Sequence, residues 1–160
     1  MTVGPAPPRP DPALLAAYRA AEYVVPIGSR VCRLRIGQPV PESMQQWLAA
    51  RGGAGWISAC NPGSRPLTLL ENLRRHQDLF RCLQAEGFDA LVGYATDPAG
   101  QWPDETSLLV PDIALERLNR LALDFGQVAF LWLERAQPPR MWLADPGDPL
   151  PDPLAPPPSR

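Results

Sequence analysis

Six polar side chains have the types and spacing that chemistry on a small ligand needs: Asn61, Ser64, Asn72, Arg75, Glu105 and Gln127. Asn72 and Arg75 stand three apart, so they share one face in the first turns of a predicted helix. That helix follows directly on the turn Asn61-Pro62-Gly63-Ser64. A helix start offers free N–H groups and a partial positive charge, so it suits an anion with the Arg75 guanidinium beside it. Glu105 is the carboxylate placed to act as a general base or a magnesium ligand. Ser64 becomes a nucleophile only if a base stands close.

Each of these residues also has a purely structural reading. An asparagine in a turn bonds its own backbone, and Asn72 with Arg75 could hold that turn down. If Glu105 faces inward it must be paired, with Arg65, Arg74 and Arg75 as the available cations. In an extended segment Glu105 and Ser107 share a face and Leu108 and Val110 the other, so Asp104 and Glu105 do not form an acid pair. Gln127 suits sheet or cap bonding after a helix-ending glycine. Thr68 with Glu71 three residues on is a capping box. The sole histidine, His76, falls between Leu73 and Phe80 on an apolar stripe and reads as a satisfied core residue. Neither a Ser–His–Asp mechanism nor a metal or other cofactor is expected.

The elements that must position these groups follow from periodicity and punctuation. Asp11-Pro12 starts a helix with Leu14, Leu15, Tyr18 and Ala21 on its stripe. Strands are predicted at Tyr23–Val25 and around Cys32, Leu34 and Ile36, then a helix from Pro41 to Arg51. A third strand, Ala54–Cys60, runs into the Asn-Pro turn. A long helix, 69–86, buries Leu69, Leu73, Phe80 and Leu83. Strands at Phe88–Tyr94 and Ser107–Val110 flank a loop carrying Asp97, Trp102 and Asp104. Asp112 caps a last helix ending at Gly126, and Val128–Leu133 with Arg140–Leu143 make a C-terminal hairpin. The order is αββαβαββαββ: an α/β (α+β) fold with a single mixed β-sheet covered by helices.

Length and composition bound the rest. At 160 residues the chain suits one domain, predicted over residues 13–145. Of its 22 prolines, twelve lie in residues 1–12 and 146–160, which read as disordered tails. All fifteen basic residues are arginine, so lysine chemistry is excluded. With abundant Ala, Pro and Gly, this points to a GC-rich bacterial genome. A net charge of −2 argues against nucleic acid as a partner. Cys32, Cys60 and Cys82 are too far apart for a disulfide framework or a zinc knuckle. No signal peptide and no membrane span is predicted, so the expected location is the cytoplasm.

Four ordered pieces resemble the uncharacterised bacterial family catalogued as domain of unknown function 3293. They are Ser58–Ser64, then Glu71-Asn72 with Arg75, then Trp102–Val110, and last Phe125-Gly126-Gln127. Two positions depart from that pattern, Cys60 where an aromatic residue is usual and Val128 where an asparagine is. The resemblance covers roughly residues 18–143 and implies kinship without an activity.

The expectation is therefore a binding or accessory module whose one polar cleft takes a small anionic ligand. The alternatives are a hydrolase acting on a phosphorylated or nucleotide substrate through Glu105, and an interaction protein that recruits partners through its proline-rich tails.

Overall fold

The computed structural model describes residues 10–152. The tails expected to be disordered therefore fall, for residues 1–9 and 153–160, outside the described residues. The elements in chain order are α1 (Pro12–Ala20), β1 (Glu22–Ile27), β2 (Arg30–Leu34), α2 (Glu42–Ala49), β3 (Ala54–Ile57), a 3-10 turn (Pro62–Ser64), α3 (Leu69–Ala85), β4 (Leu91–Thr96), β5 (Glu105–Pro111), α4 (Leu115–Asp124), β6 (Ala129–Leu133), β7 (Arg140–Leu143) and β8 (Leu150–Pro151). The predicted order is observed, with β8 added.

The strands form one sheet in the order β2-β1-β4-β5-β3-β6-β7-β8. Every neighbouring pair is antiparallel, where a mixed sheet was expected. The reason lies in the crossovers. Helix α3 carries the chain from β3 past one position to β4, and α4 carries it from β5 past one position to β6. Each skipped position is filled by an antiparallel strand, so the strands that a helical crossover joins never touch. Residues 54–133 thus follow the split βαβ pattern of ferredoxin-like domains, extended at one edge by β1 and β2 and at the other by β7 and β8.

Alternation along the strands builds two cores. One joins Tyr23, Trp56, Leu109 and Leu131 to Leu15 of α1 and to Met44 and Leu48 of α2. The other joins Ile57, Leu108, Val110 and Phe130 to Leu79 and Leu83 of α3 and to Leu118 and Leu121 of α4. Helices therefore lie on both faces of the sheet. Gly55 lets α4 approach closely, because a Cβ there would stand 2.5 Å from a Leu118 methyl.

Three local expectations change. Asp112 does not cap α4, whose N-cap is Ala114; it sits at φ 60° and accepts a hydrogen bond from the Gly52 N–H at 2.8 Å. The buried stripe of α3 runs through Leu79 and Leu83, while Leu69 and Leu73 in its first turns are exposed. At the C-terminal end, Leu150–Pro151 pair with β7 inside the stretch read as tail. Asp152 is buried there and takes the Arg19 guanidinium through two hydrogen bonds, Nε to Oδ2 being 2.8 Å. Among the described residues no helix is long and apolar enough to cross a membrane.

Candidate functional site

The end of β3 and the start of β5 lie side by side, since the two strands are antiparallel neighbours with Ile57 opposite Leu108. Ala95 of β4 pairs with Glu105, and Tyr23 of β1 pairs with Ala95. One end of the sheet therefore gathers the β3 exit, Glu105 and the start of β1, with α1 above them.

Asn61 adopts the left-handed conformation (φ 47°, ψ 60°) at the head of the 3-10 turn. Asparagine tolerates this better than most residues, and here it is held by four hydrogen bonds. Its Nδ2 donates to Glu105 Oε2 at 3.1 Å. Its Oδ1 accepts from the Leu67 N–H at 2.9 Å and from Asn72 Nδ2 at 2.8 Å. Its own N–H donates to Asn72 Oδ1 at 2.9 Å. Asn72 is thus the partner that fixes which way the Asn61 amide points. The capping box forms as expected, with the Glu71 N–H on Thr68 Oγ1 at 3.2 Å and the Thr68 N–H on Glu71 Oε2 at 2.8 Å.

The contacts of Arg75 fit the structural expectation, in which it helps to hold the turn down. Its Nε donates to the Ala59 carbonyl at 2.6 Å, its Nη2 donates to the Phe125 carbonyl, and the guanidinium lies over the Phe125 ring. Gln127 Nε2 donates to the Cys60 carbonyl at 3.0 Å and to the Phe125 carbonyl at 3.2 Å. The Gly63 N–H donates to the Gly126 carbonyl at 2.7 Å. Together they fasten the β3–α3 turn to the α4–β6 turn, satisfying carbonyls that would otherwise be buried without partners. Gly126 is required there: at φ +68° a Cβ would stand 2.8 Å from Pro62 Cβ.

No ion pair joins Glu105 to Arg65, Arg74 or Arg75 among the described residues. The carboxyl is instead largely buried against neutral partners. Burial raises its proton affinity, and hydrogen bonding from Ser58 and Asn61 pulls it part of the way back. The neighbouring acids shift the same way. Burial raises Tyr18, against the hydrogen bond from Ser64 and with the charge of Glu105 adding to it. Burial also raises the Cys60 thiol, so it is not a poised thiolate. Tyr18 Oη and Ser64 Oγ lie 2.7 Å apart, and Tyr23 Oη donates to the Tyr18 carbonyl at 2.8 Å.

These groups form the polar end of a cavity of about 530 Å³ between α1 and the sheet. Leu14, Ala17 and Tyr18 of α1 roof it, Tyr23, Trp56 and Leu131 floor it, and Trp102 with Asp104 stand at the loop side. It reaches round the strand ends to Leu69, Leu73 and His76 of α3. Of the six residues expected to act, Asn61, Ser64, Asn72, Glu105 and Gln127 line it, and Arg75 does not. His76 is not the satisfied core residue expected. Its Nδ1 is buried without a hydrogen-bond partner among the described residues, and burial lowers the ring's affinity for a proton.

Sequence reasoning missed Tyr18, Trp56 and Ser58 as site residues. Tyr18 was legible only as part of an apolar stripe, although a hydroxyl on that stripe needs a partner, which Ser64 supplies. Ser58 was detectable as a polar residue ending a buried strand. Among the described residues no three His, Cys, Asp or Glu side chains gather where they could hold a metal ion.

Residues 57–130 match the model of a family described as a protein of unknown function (DUF3293), which supports the resemblance read from the sequence. The matched stretch runs from the end of β3 to the start of β6, so it contains Asn61, Arg75 and Glu105 but not the roof formed by α1. No curated protein and no solved structure matches the chain.

Proposed function

We propose that the domain is a small-molecule binding module of the bacterial cytoplasm. In this reading the ligand lies in the cavity under α1, its apolar body against Tyr23, Trp56 and Leu131 and its polar head at Asn61 and Glu105. One observation carries the reading: a cavity of about 530 Å³ ends at a buried carboxyl that no cation among the described residues offsets. Large, mostly apolar cavities with a few convergent polar groups and shifted proton affinities are where ligands bind. The reading moves away from an anionic ligand, because the arginine that would meet an anion is bonded to two carbonyls outside the cavity. The bacterial source rests on the absence of lysine and the richness in Ala, Pro and Gly.

A thermal-shift screen of apolar compounds with one polar head, set beside nucleotides and phosphorylated metabolites, tests it. A ligand present at a hundred times its Kd adds about 2.7 kcal/mol of stability. Ala17→Phe, which narrows the cavity from α1, is expected to abolish that gain. Unchanged binding by this variant places the ligand elsewhere and ends the proposal.

A second reading makes Glu105 a general acid or base of a hydrolase. It is favoured by the raised proton affinity of Glu105 beside Ser58 and near Ser64. Glu105→Gln separates the two readings: an enzyme loses turnover while keeping its fold, and a binding module has no turnover to lose.

A further inference from the structure

We infer that the ligand is an organic amine, bound as its ammonium against Glu105 with an aromatic or alkyl body in the cavity. The inference rests on the binding reading above and names the ligand class for the same site.

The first ground is the sign of the charge that the walls can carry. The titratable residues lining the cavity are Tyr18, Tyr23, Cys60, His76, Asp104 and Glu105. Among the described residues no arginine lines it, and the chain has no lysine. Burial shifts Tyr18, Tyr23 and Cys60 towards their neutral forms, and shifts His76 the same way. Whatever net charge the walls hold is therefore negative, from Glu105 inside and Asp104 at the loop side. A carboxylate or phosphate entering such a space loses its water and meets no cation.

The second ground is the orientation of the Asn61 amide. Its Oδ1 already accepts from the Leu67 N–H and from Asn72 Nδ2, so the NH₂ group must be what faces Glu105. An amide locked as donor favours the carboxyl as an acceptor. The hydrogen-bond partner that the described residues supply is neutral, the Asn61 amide, while the Ser58 hydroxyl donates to the Thr106 carbonyl. A buried carboxylate with only neutral partners is incompletely compensated, and a cationic donor from the ligand completes it. Charge-assisted hydrogen bonds of this kind are the strong ones.

The third ground is the aromatic lining. Tyr18, Tyr23, Trp56 and Trp102 all contribute to the cavity, and Tyr23 meets Trp56 edge to face at 5.5 Å. Tryptophan and tyrosine faces attract cations and accept apolar bodies equally well. An ammonium on an apolar stem uses both properties, whereas an alcohol uses one and an anion opposes the carboxyl.

The test compares three compounds that share one body, 2-phenylethylamine, 2-phenylethanol and phenylacetate, by titration calorimetry on the full chain, together with their naphthyl counterparts. The expected result is that each amine binds at least tenfold tighter than its alcohol, with the carboxylates weakest. Glu105→Gln should erase the preference for the amine over the alcohol, with the fold of the variant checked by circular dichroism. If the alcohols or carboxylates bind as tightly as the amines, the amine inference fails and the cavity reading stands. If Glu105→Gln keeps the preference, the inference also fails. If no member of either series binds, both readings fall. The wild-type comparison decides on its own should Glu105→Gln not fold.

Discussion

The Asn61 amide donates to the Glu105 carboxyl across 3.1 Å, in the place where the sequence offered only arginines as partners. Two consequences follow from that substitution of an amide for a cation. The turn that carries Asn61 is rigid for reasons of its own, and the carboxyl it faces keeps a proton more readily than an ordinary glutamate.

Stability should therefore fall with rising pH in a way that Glu105 controls. Its ordinary value is 4.5, and burial raises it in the folded protein. Below the ordinary value both folded and unfolded chains hold the proton, and stability is at its full value. As pH rises, the unfolded chain releases its proton first, so stability is lost until the folded carboxyl ionises as well. Glu105→Gln lacks this loss. The melting temperature of the variant minus that of the wild type should grow as pH rises above about 4, the ordinary carboxylate range, by roughly 2–4 °C for each kcal/mol involved. A flat difference across that range would show that Glu105 titrates normally.

Asn61 tests the turn. Asn61→Ala removes the acceptor of the Leu67 N–H and of Asn72 Nδ2 and the donor to Glu105, and it keeps a Cβ at φ 47°. Lost bonds of this kind cost about 1–3 kcal/mol for each group left unsatisfied. Asn61→Gly loses the same side-chain bonds but tolerates the backbone conformation, and should be the more stable of the two by about 1 kcal/mol. Urea unfolding of both variants measures the gap, and the reverse order would contradict the left-handed geometry.

Arg75 separates architecture from recognition. Arg75→Lys cannot reach the Ala59 and Phe125 carbonyls with one planar fork, so it should destabilise the domain by about 1–3 kcal/mol. The ranking of amine, alcohol and carboxylate should not change, because Arg75 does not line the cavity. A variant that folds well but gains affinity for cations or loses it for anions would place Arg75 in the site after all.

Helix α1 is fastened by Arg19 to the buried Asp152 and by Tyr18 to Ser64. Asp152→Asn keeps the shape and removes the charge, and should weaken this attachment by about 1 kcal/mol or more. Hydrogen exchange at the α1 amides should quicken by up to about tenfold, the factor that corresponds to 1.4 kcal/mol, with α3 and α4 little changed. Uniform acceleration across the chain would mean that α1 does not open on its own.

Much of this was legible in the sequence, and the failures share one cause. The helices and strands could be read because their signals are local: the Thr68–Glu71 box, Asp11 before Pro12, alternation in β2 and β5. The clustering of Asn61, Asn72 and Glu105 was also anticipated, from their positions at strand ends and a helix start. That Arg75 would hold the turn was one of the two expectations, but its partners, the carbonyls of Ala59 and Phe125, could not be read, because carbonyls have no side-chain identity. The sheet was misjudged because local patterns do not tell which strand fills the position that α3 and α4 each skip. The roof could not be read at all, since Tyr18 and Ser64 are 46 residues apart and neither residue type demands the other.

The clamp between Arg19 and Asp152 spans 133 residues, and this bears on the order in which the protein is made. Synthesis delivers α1 first, at about 5–20 residues per second, yet its anchor is among the last residues of the sheet to emerge. The ferredoxin-like core, complete once β6 is out, can pack before that anchor appears. Of the two attachments of α1, the one to Ser64 is available early in synthesis, and the clamp on Asp152 closes only after the rest of the described sheet has emerged.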